Sequence, residues 1–235
     1  MAGSMLIALG FPALSALMIV AVGLLIAGPT DRRTGALYVV GGLIWASVTT
    51  ALAAAGVLDR FSLPPPILLV FAVGVVLLVV VSRSRLGEAL VSLPVAWLIG
   101  LQGFRVFVEL LIHQAVVEGV APPQMTWTGL NFDVVAGATA PLVAVAVSRG
   151  IAVKPLVIVW NLVALGLLGT VVIVGVLSMP TPLQVLRPDN TWIVHPPYVL
   201  LPAVLVLTAL LLHVAALRKA MRSGRAPTGL ERRTP

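Results

Sequence analysis

Residues 66–83 read PILLVFAVGVVLLVVVSR, and this stretch decides the fold class. From Ile67 to Val81 it contains no polar side chain. A transmembrane β-strand would alternate polar and apolar residues over about ten positions, and these residues do not alternate. A run of about 18 apolar residues is instead long enough, as a helix, to cross a hydrocarbon core of roughly 30 Å. Outward from this run, similar stretches recur at about Met5–Ala27, Gly35–Gly56, Ala89–Val117, Leu130–Ser148, Pro155–Ser178 and Tyr198–Leu217. With Pro66–Ser82 they make seven candidate spans. Pro66 and Pro155 stand where a helix can begin without losing a hydrogen bond. Gly28-Pro29, Pro64-Pro65-Pro66, Pro122-Pro123 and Pro196-Pro197 mark the connections.

Composition agrees with this reading. The chain is 60% hydrophobic and 10% charged, with a mean hydropathy of +1.11. Soluble domains carry roughly 25% charged residues, so a water-facing globule is excluded. The expectation is an all-α, polytopic transmembrane helix bundle. Residues 1–217 form its single domain, and residues 218–235 a basic, disordered tail.

Charge placement sets the orientation. Arg32 and Arg33, Arg83 and Arg85, and Arg149 and Lys154 follow the first, third and fifth spans, and six more Lys and Arg lie from Arg218 to Arg233. That places twelve basic residues on one side, against Arg60 and Arg187 on the other. Under the positive-inside rule the N-terminus is outside and the tail cytoplasmic. The net charge of +7 therefore points to anionic lipid at the tail, not to nucleic acid. The first run has no Lys or Arg before it and exceeds the roughly 7–15 residues of a signal-peptide core. It reads as a span that stays. Taken with the resemblance to bacterial proteins given below, the localisation expected is a bacterial inner membrane. Within the membrane, Ser47, Ala51 and Ala55 form a small-residue row suited to close helix packing, as do Gly166 and Gly169.

Function is sought in the fourth span. Gln102, Arg105, Glu109 and His113 fall within an arc of about 80° and, from Arg105 to His113, climb about 12 Å. Near the bilayer centre an Arg and an acid cost roughly 2.5–3.5 kcal/mol each. The surrounding Leu, Ile, Val and Phe residues return roughly 0.3–0.6 kcal/mol each, about enough to cancel that cost. The polar face must therefore meet protein or water. Arg105 and Glu109, spaced i, i+4, can pair.

Asn131 is a candidate N-cap of the next span and Asp133 a first-turn acid, both expected at the depth of His113. Asn161 reads as an interhelical hydrogen-bonding group. His213 reads as a contact with a helix C-terminus or a headgroup. Trp127 and Trp192 read as interfacial anchors, and His195 as a solvated loop residue.

The chain has no cysteine, so thiolate metal sites are excluded, and a Glu and a His on one helix do not complete a zinc site. The only lysines, Lys154 and Lys219, flank spans, so retinal attachment is not expected. His113 and His213 are expected at opposite faces, which argues against a bis-histidine haem. No metal or cofactor is expected.

The stretch LQGFRVFVELLIHQAVVEGVAPPQMTWTGLNFDVVAGATAPLVA, from Leu101 to Ala144, resembles an uncharacterised family of bacterial multi-span integral membrane proteins. Its elements fall on Arg105 and Glu109, then on Pro122 or Pro123, Met125 and Thr126. They continue on Gly129, Asn131 and Asp133, and on Gly137, Thr139, Ala140 and Pro141. Trp160-Asn161, the Leu177 to Pro182 segment, His213 before Arg218 and the Pro64 to Pro66 entry also fit. Leu130 stands where the family often has Arg, so no anion-binding Arg is carried over to that position. The resemblance adds weight to Arg105, Glu109, Asn131, Asp133, Asn161 and His213 and implies no activity.

Three readings stay open: solute or ion handling through an outward-facing polar pocket, an enzyme acting on lipid, and a sensor or assembly subunit with a purely structural polar core. No nucleophile motif accompanies Glu109 or His113, which argues against the enzyme.

Overall fold

The computed structural model describes residues 4–151 and 153–222, and among them every regular element is helical. The helices are α1 Met5–Ala27, α2 Arg32–Ala54, α3 Pro66–Arg83 and α4 Arg85–Ser92. Then come α5 Val95–Val117, α6 Asp133–Ser148, α7 Val153–Leu177 and α8 Leu201–Arg222. Six of them, all but α4 and α6, are long and apolar enough to cross a membrane. The apolar α6 has 16 residues.

Local signals set most boundaries. Asp31 caps α2 by accepting from the Thr34 N–H at 2.8 Å, and Pro66 opens α3. Gly119 and Gly150 follow α5 and α6 with φ of 69° and 77°, the left-handed conformation in which glycine commonly stops a helix.

The fourth span begins later than the sequence suggests. Residues 85–92 form the separate helix α4, and Pro94 breaks the chain before Val95. On α4, Glu88 accepts from Arg218 Nη2 at 2.6 Å and Arg222 Nη1 at 2.5 Å. These bonds hold the Glu88 carboxyl at about 2, well below its ordinary 4.5. The contribution of this exposed clasp is thus complete above the ordinary carboxylate range and is lost as pH falls toward 2. Lys219 Nζ donates to the carbonyls of Val91 at 3.0 Å and Ser92 at 3.2 Å, closing the C-terminal end of α4. Arg218, Lys219 and Arg222, expected in the tail, therefore belong to α8. The remainder of the tail lies outside the described residues.

Helix α8 is the central pillar and is mostly buried, whereas α2 and α3 turn most of their surface outward. Close packing of α1 on α2 runs through Gly23, Gly35 and Gly42, not the expected small-residue row. A Cβ on Gly35 would lie 2.5 Å from the Gly23 carbonyl. Ser47, Ala51 and Ala55 are exposed, and Gly166 and Gly169 face open space.

Helices α5 and α6 run antiparallel. Gly137 sits against Arg105 and Val106, Pro141 near Gly103, and Ala144 near Gly100. In this register α6 begins near the level of Glu109, eight residues or about 12 Å inside the end of α5. Residues 118–132 fold back into the bundle and bury Val120, Ala121, Gln124, Met125, Thr126 and Asn131.

Candidate functional site

Arg105 is the largest of the fully buried side chains, with 1% of its surface exposed. Its Nε donates to Asp133 Oδ2 at 2.6 Å and its Nη2 to Asp133 Oδ1, a two-point pairing. Nη2 also reaches the Ala164 carbonyl on α7, and Nη1 donates to His213 Nε2 on α8, each at 3.1 Å. One side chain thus ties α5 to α6, α7 and α8.

The histidine tautomer follows from its partners. A guanidinium only donates, so His213 Nε2 accepts and its Nδ1 donates to Asn161 Oδ1 at 2.7 Å. Asn161 Nδ2 donates to the Val157 carbonyl at 2.8 Å. His213 is therefore a neutral bridge inside the bundle and is fully buried. The expected contact with a helix C-terminus or headgroup is corrected, because α8 continues well past it. Asn161 makes the interhelical bond expected of it.

Glu109 does not pair with Arg105. Its Oε1 accepts from Asn131 Nδ2, and Asn131 Nδ2 also donates to the Met125 carbonyl at 2.9 Å. Asn131 Oδ1 accepts from the Asp133 N–H at 2.9 Å, so it caps the first turn of α6 although Phe132 is the boundary residue. Asp133 gains from the same helix N-terminus.

Glu109 is itself buried, and its Oε2 is without a hydrogen-bond partner. A cavity of about 20 Å³ is lined by Glu109, Arg105 and Asp133, and a cavity of roughly 10–15 Å³ already accommodates one water. Leu201 and Leu205 line its other side. They bound a π-helical turn, Leu201–Leu205, in which the Val206 N–H reaches back five residues to the Leu201 carbonyl. On the facing helix, Leu101–Gly103 is a 3₁₀ turn. Both helices are thus irregular beside the cluster, as helices often are at functional positions.

Gln102 reaches α8 separately. Its Nε2 donates to the Ala209 carbonyl at 3.0 Å, while its Oε1 is buried without a partner. His113 stands apart from Glu109, half-buried and stacked on Trp127 at a centroid distance of 4.3 Å, with Thr126 Oγ1 at 3.5 Å from Nδ1. The structure brings together Arg105, Glu109, Asn131, Asp133, Asn161 and His213. Gln102 and His113 sit at the margins.

Of the expected outward-facing polar pocket the cluster shows a water-sized cavity, beside which Asn131 of the folded-back segment 118–132 bonds Glu109. Trp192 is buried against Phe11 and Tyr198, not interfacial. The sequence reading also missed Gln124, which donates to Ser178 Oγ at 3.1 Å and to the Pro188 carbonyl at 2.6 Å. Asn190, which reaches the Gly175 carbonyl at 2.9 Å, was missed as well. These two anchor loop to helix and carry no periodic signal. Only their polarity beside apolar runs could have marked them.

The fold and this cluster define a class: an all-α, multi-span membrane protein with a charged polar core. The chain matches no family model, no curated protein and no solved structure.

Proposed function

We propose that the protein handles ions within the membrane, that the ion is the proton, and that Glu109 is the exchange site. One observation carries this reading: Glu109 is a buried carboxyl with a free oxygen facing a water-sized cavity. The neighbouring guanidinium does not balance it. Asp133 already occupies Arg105 through two bonds, so Arg105, Asp133 and Glu109 together are neutral only when one further positive charge is present. No group of three or more His, Asp or Glu suited to a metal ion occurs among the described residues. A proton therefore meets the requirement best.

From Glu109 the polar groups continue through Asn131, Asp133 and Arg105 to His213 and Asn161. Such intramembrane rows of ionisable groups mark relays more often than inert cores. Irregular backbone is tolerated at membrane depth where it is enclosed by protein or lines a cavity, as the π turn of α8 does here.

Proton entry into vesicles holding a pH-sensitive dye, driven by a membrane potential, tests the reading. Wild type is expected to exceed empty vesicles, and Glu109→Gln to match them. Infrared difference spectra should show a titrating carboxylic acid C=O band in wild type that is missing from Glu109→Gln. A wild-type protein with neither proton entry nor such a band would refute the assignment.

The twelve-to-two charge split supports seven passes, N-terminus outside, with α6 as the short fifth pass. A reporter active only in the cytoplasm, fused after Arg225, is expected to be active, and one inserted near Gln124 inactive. The reverse pattern would invert the topology.

A further inference from the structure

Away from the polar cluster, α2 and α3 stand apart and leave a crevice of about 260 Å³ whose floor is α8. Its walls are apolar. One wall is opened by Gly41, which has nothing within 4 Å of the position its Cβ would take, while Gly74 on the facing wall is packed against Leu207 and Trp45. In a helix bundle embedded in lipid, such a gap between two peripheral helices opens sideways into the hydrocarbon.

Three features say what fills it. The first is Tyr38, which lines the crevice and whose hydroxyl makes no hydrogen bond to any described residue. It lies six residues, about 9 Å, inside the Arg32 end of α2, and a tyrosine hydroxyl reaches several ångströms from its backbone toward that end. The second is Arg33, four residues before Leu37 on the crevice-facing side of α2, exposed and without an ion pair among the described residues. The third is Arg85, the chain neighbour of the crevice residue Leu86, also exposed and without an ion pair among the described residues. The site thus offers an apolar slot, one hydroxyl donor and two exposed guanidiniums toward its Arg32 end.

We infer that this crevice is a binding site for an anionic diacyl phospholipid. One acyl chain lies between α2 and α3, an ester carbonyl accepts from Tyr38, and the phosphate meets Arg33 and Arg85. The inference is independent of the proton reading.

Native mass spectrometry of the purified full chain, titrated with phosphatidylglycerol or phosphatidylcholine, tests it. Wild type is expected to retain one phosphatidylglycerol in preference to phosphatidylcholine by roughly tenfold or more, since each basic residue near the surface contributes about 1 kcal/mol. Arg33→Gln with Arg85→Gln should erase that preference. Gly41→Leu points its side chain into open space and should remove the retained lipid while melting like wild type. Tyr38→Phe provides a second variant: it should weaken an ester-linked phosphatidylglycerol and leave an ether-linked one unchanged. Equal retention of the two lipids by wild type, unchanged retention by Gly41→Leu, or equal loss of ester and ether lipids in Tyr38→Phe would each overturn the site.

Discussion

Arg105→Leu is expected to lower the melting temperature and the folded yield more than any other single change in the polar core. The substitution leaves the Asp133 carboxylate, the Ala164 carbonyl and His213 Nε2 without the donor that all three share. Breaking one side of a buried ion pair costs about 3–5 kcal/mol, because the remaining charge stays in a medium that cannot solvate it. The second substitution identifies the partner. Arg105→Leu with Asp133→Leu removes both charges and should recover much of the loss, since apolar replacement of a whole buried pair is often neutral. Arg105→Leu with Glu109→Leu leaves Asp133 stranded and should recover little. Thermal melts in detergent, followed by the fraction of monodisperse protein, separate the three. A single variant as stable as wild type, or equal rescue by both doubles, would show that Asp133 is not the partner.

That comparison also marks where sequence reasoning stops. Apolar run length and the one-sided stripe on α5 are local, periodic signals, so the helical class and the inward turn of Arg105 and Glu109 were legible. The meeting of Glu109 with Asn131 followed from the short connection between α5 and α6. Which acid holds the guanidinium was not legible. Spacing of i, i+4 makes Glu109 the obvious partner, but Arg105 selects Asp133 because α6 begins deep inside the bundle. That depth depends on how residues 118–132 fold back, and a non-periodic segment carries no trace of it. His213 was misplaced for a related reason. Its distance from Arg218 suggests the membrane surface, yet Arg218 and Arg222 extend the helix to clasp Glu88 on α4. Pro94 and Pro202 lie inside the spans expected from the sequence, yet they mark the start of α5 and the π turn of α8. Neither reveals that the second break would stand beside Glu109.

Gly137→Ala is expected to damage the site from a position that bears no charge. A Cβ there would lie 2.7 Å from the backbone nitrogen of Val106 and 3.1 Å from Arg105 Cβ. The first of these atoms belongs to a helix backbone and cannot swing aside, so α6 must move away from α5 by a fraction of an ångström. Asp133 and Asn131 travel with α6, which loosens the two-point contact with Arg105 and the bond to Glu109 together. Overpacking of this kind costs about 1–3 kcal/mol, and Gly137→Leu should cost more. Gly166→Ala supplies the control on α7, because nothing lies within 4 Å of its Cβ position. There, exchange of glycine for alanine in a helix should be neutral or stabilising by up to about 1 kcal/mol. Melting both variants beside wild type decides the matter: if Gly137→Ala proves as stable as Gly166→Ala, the close approach of α5 and α6 does not set the geometry of the cluster.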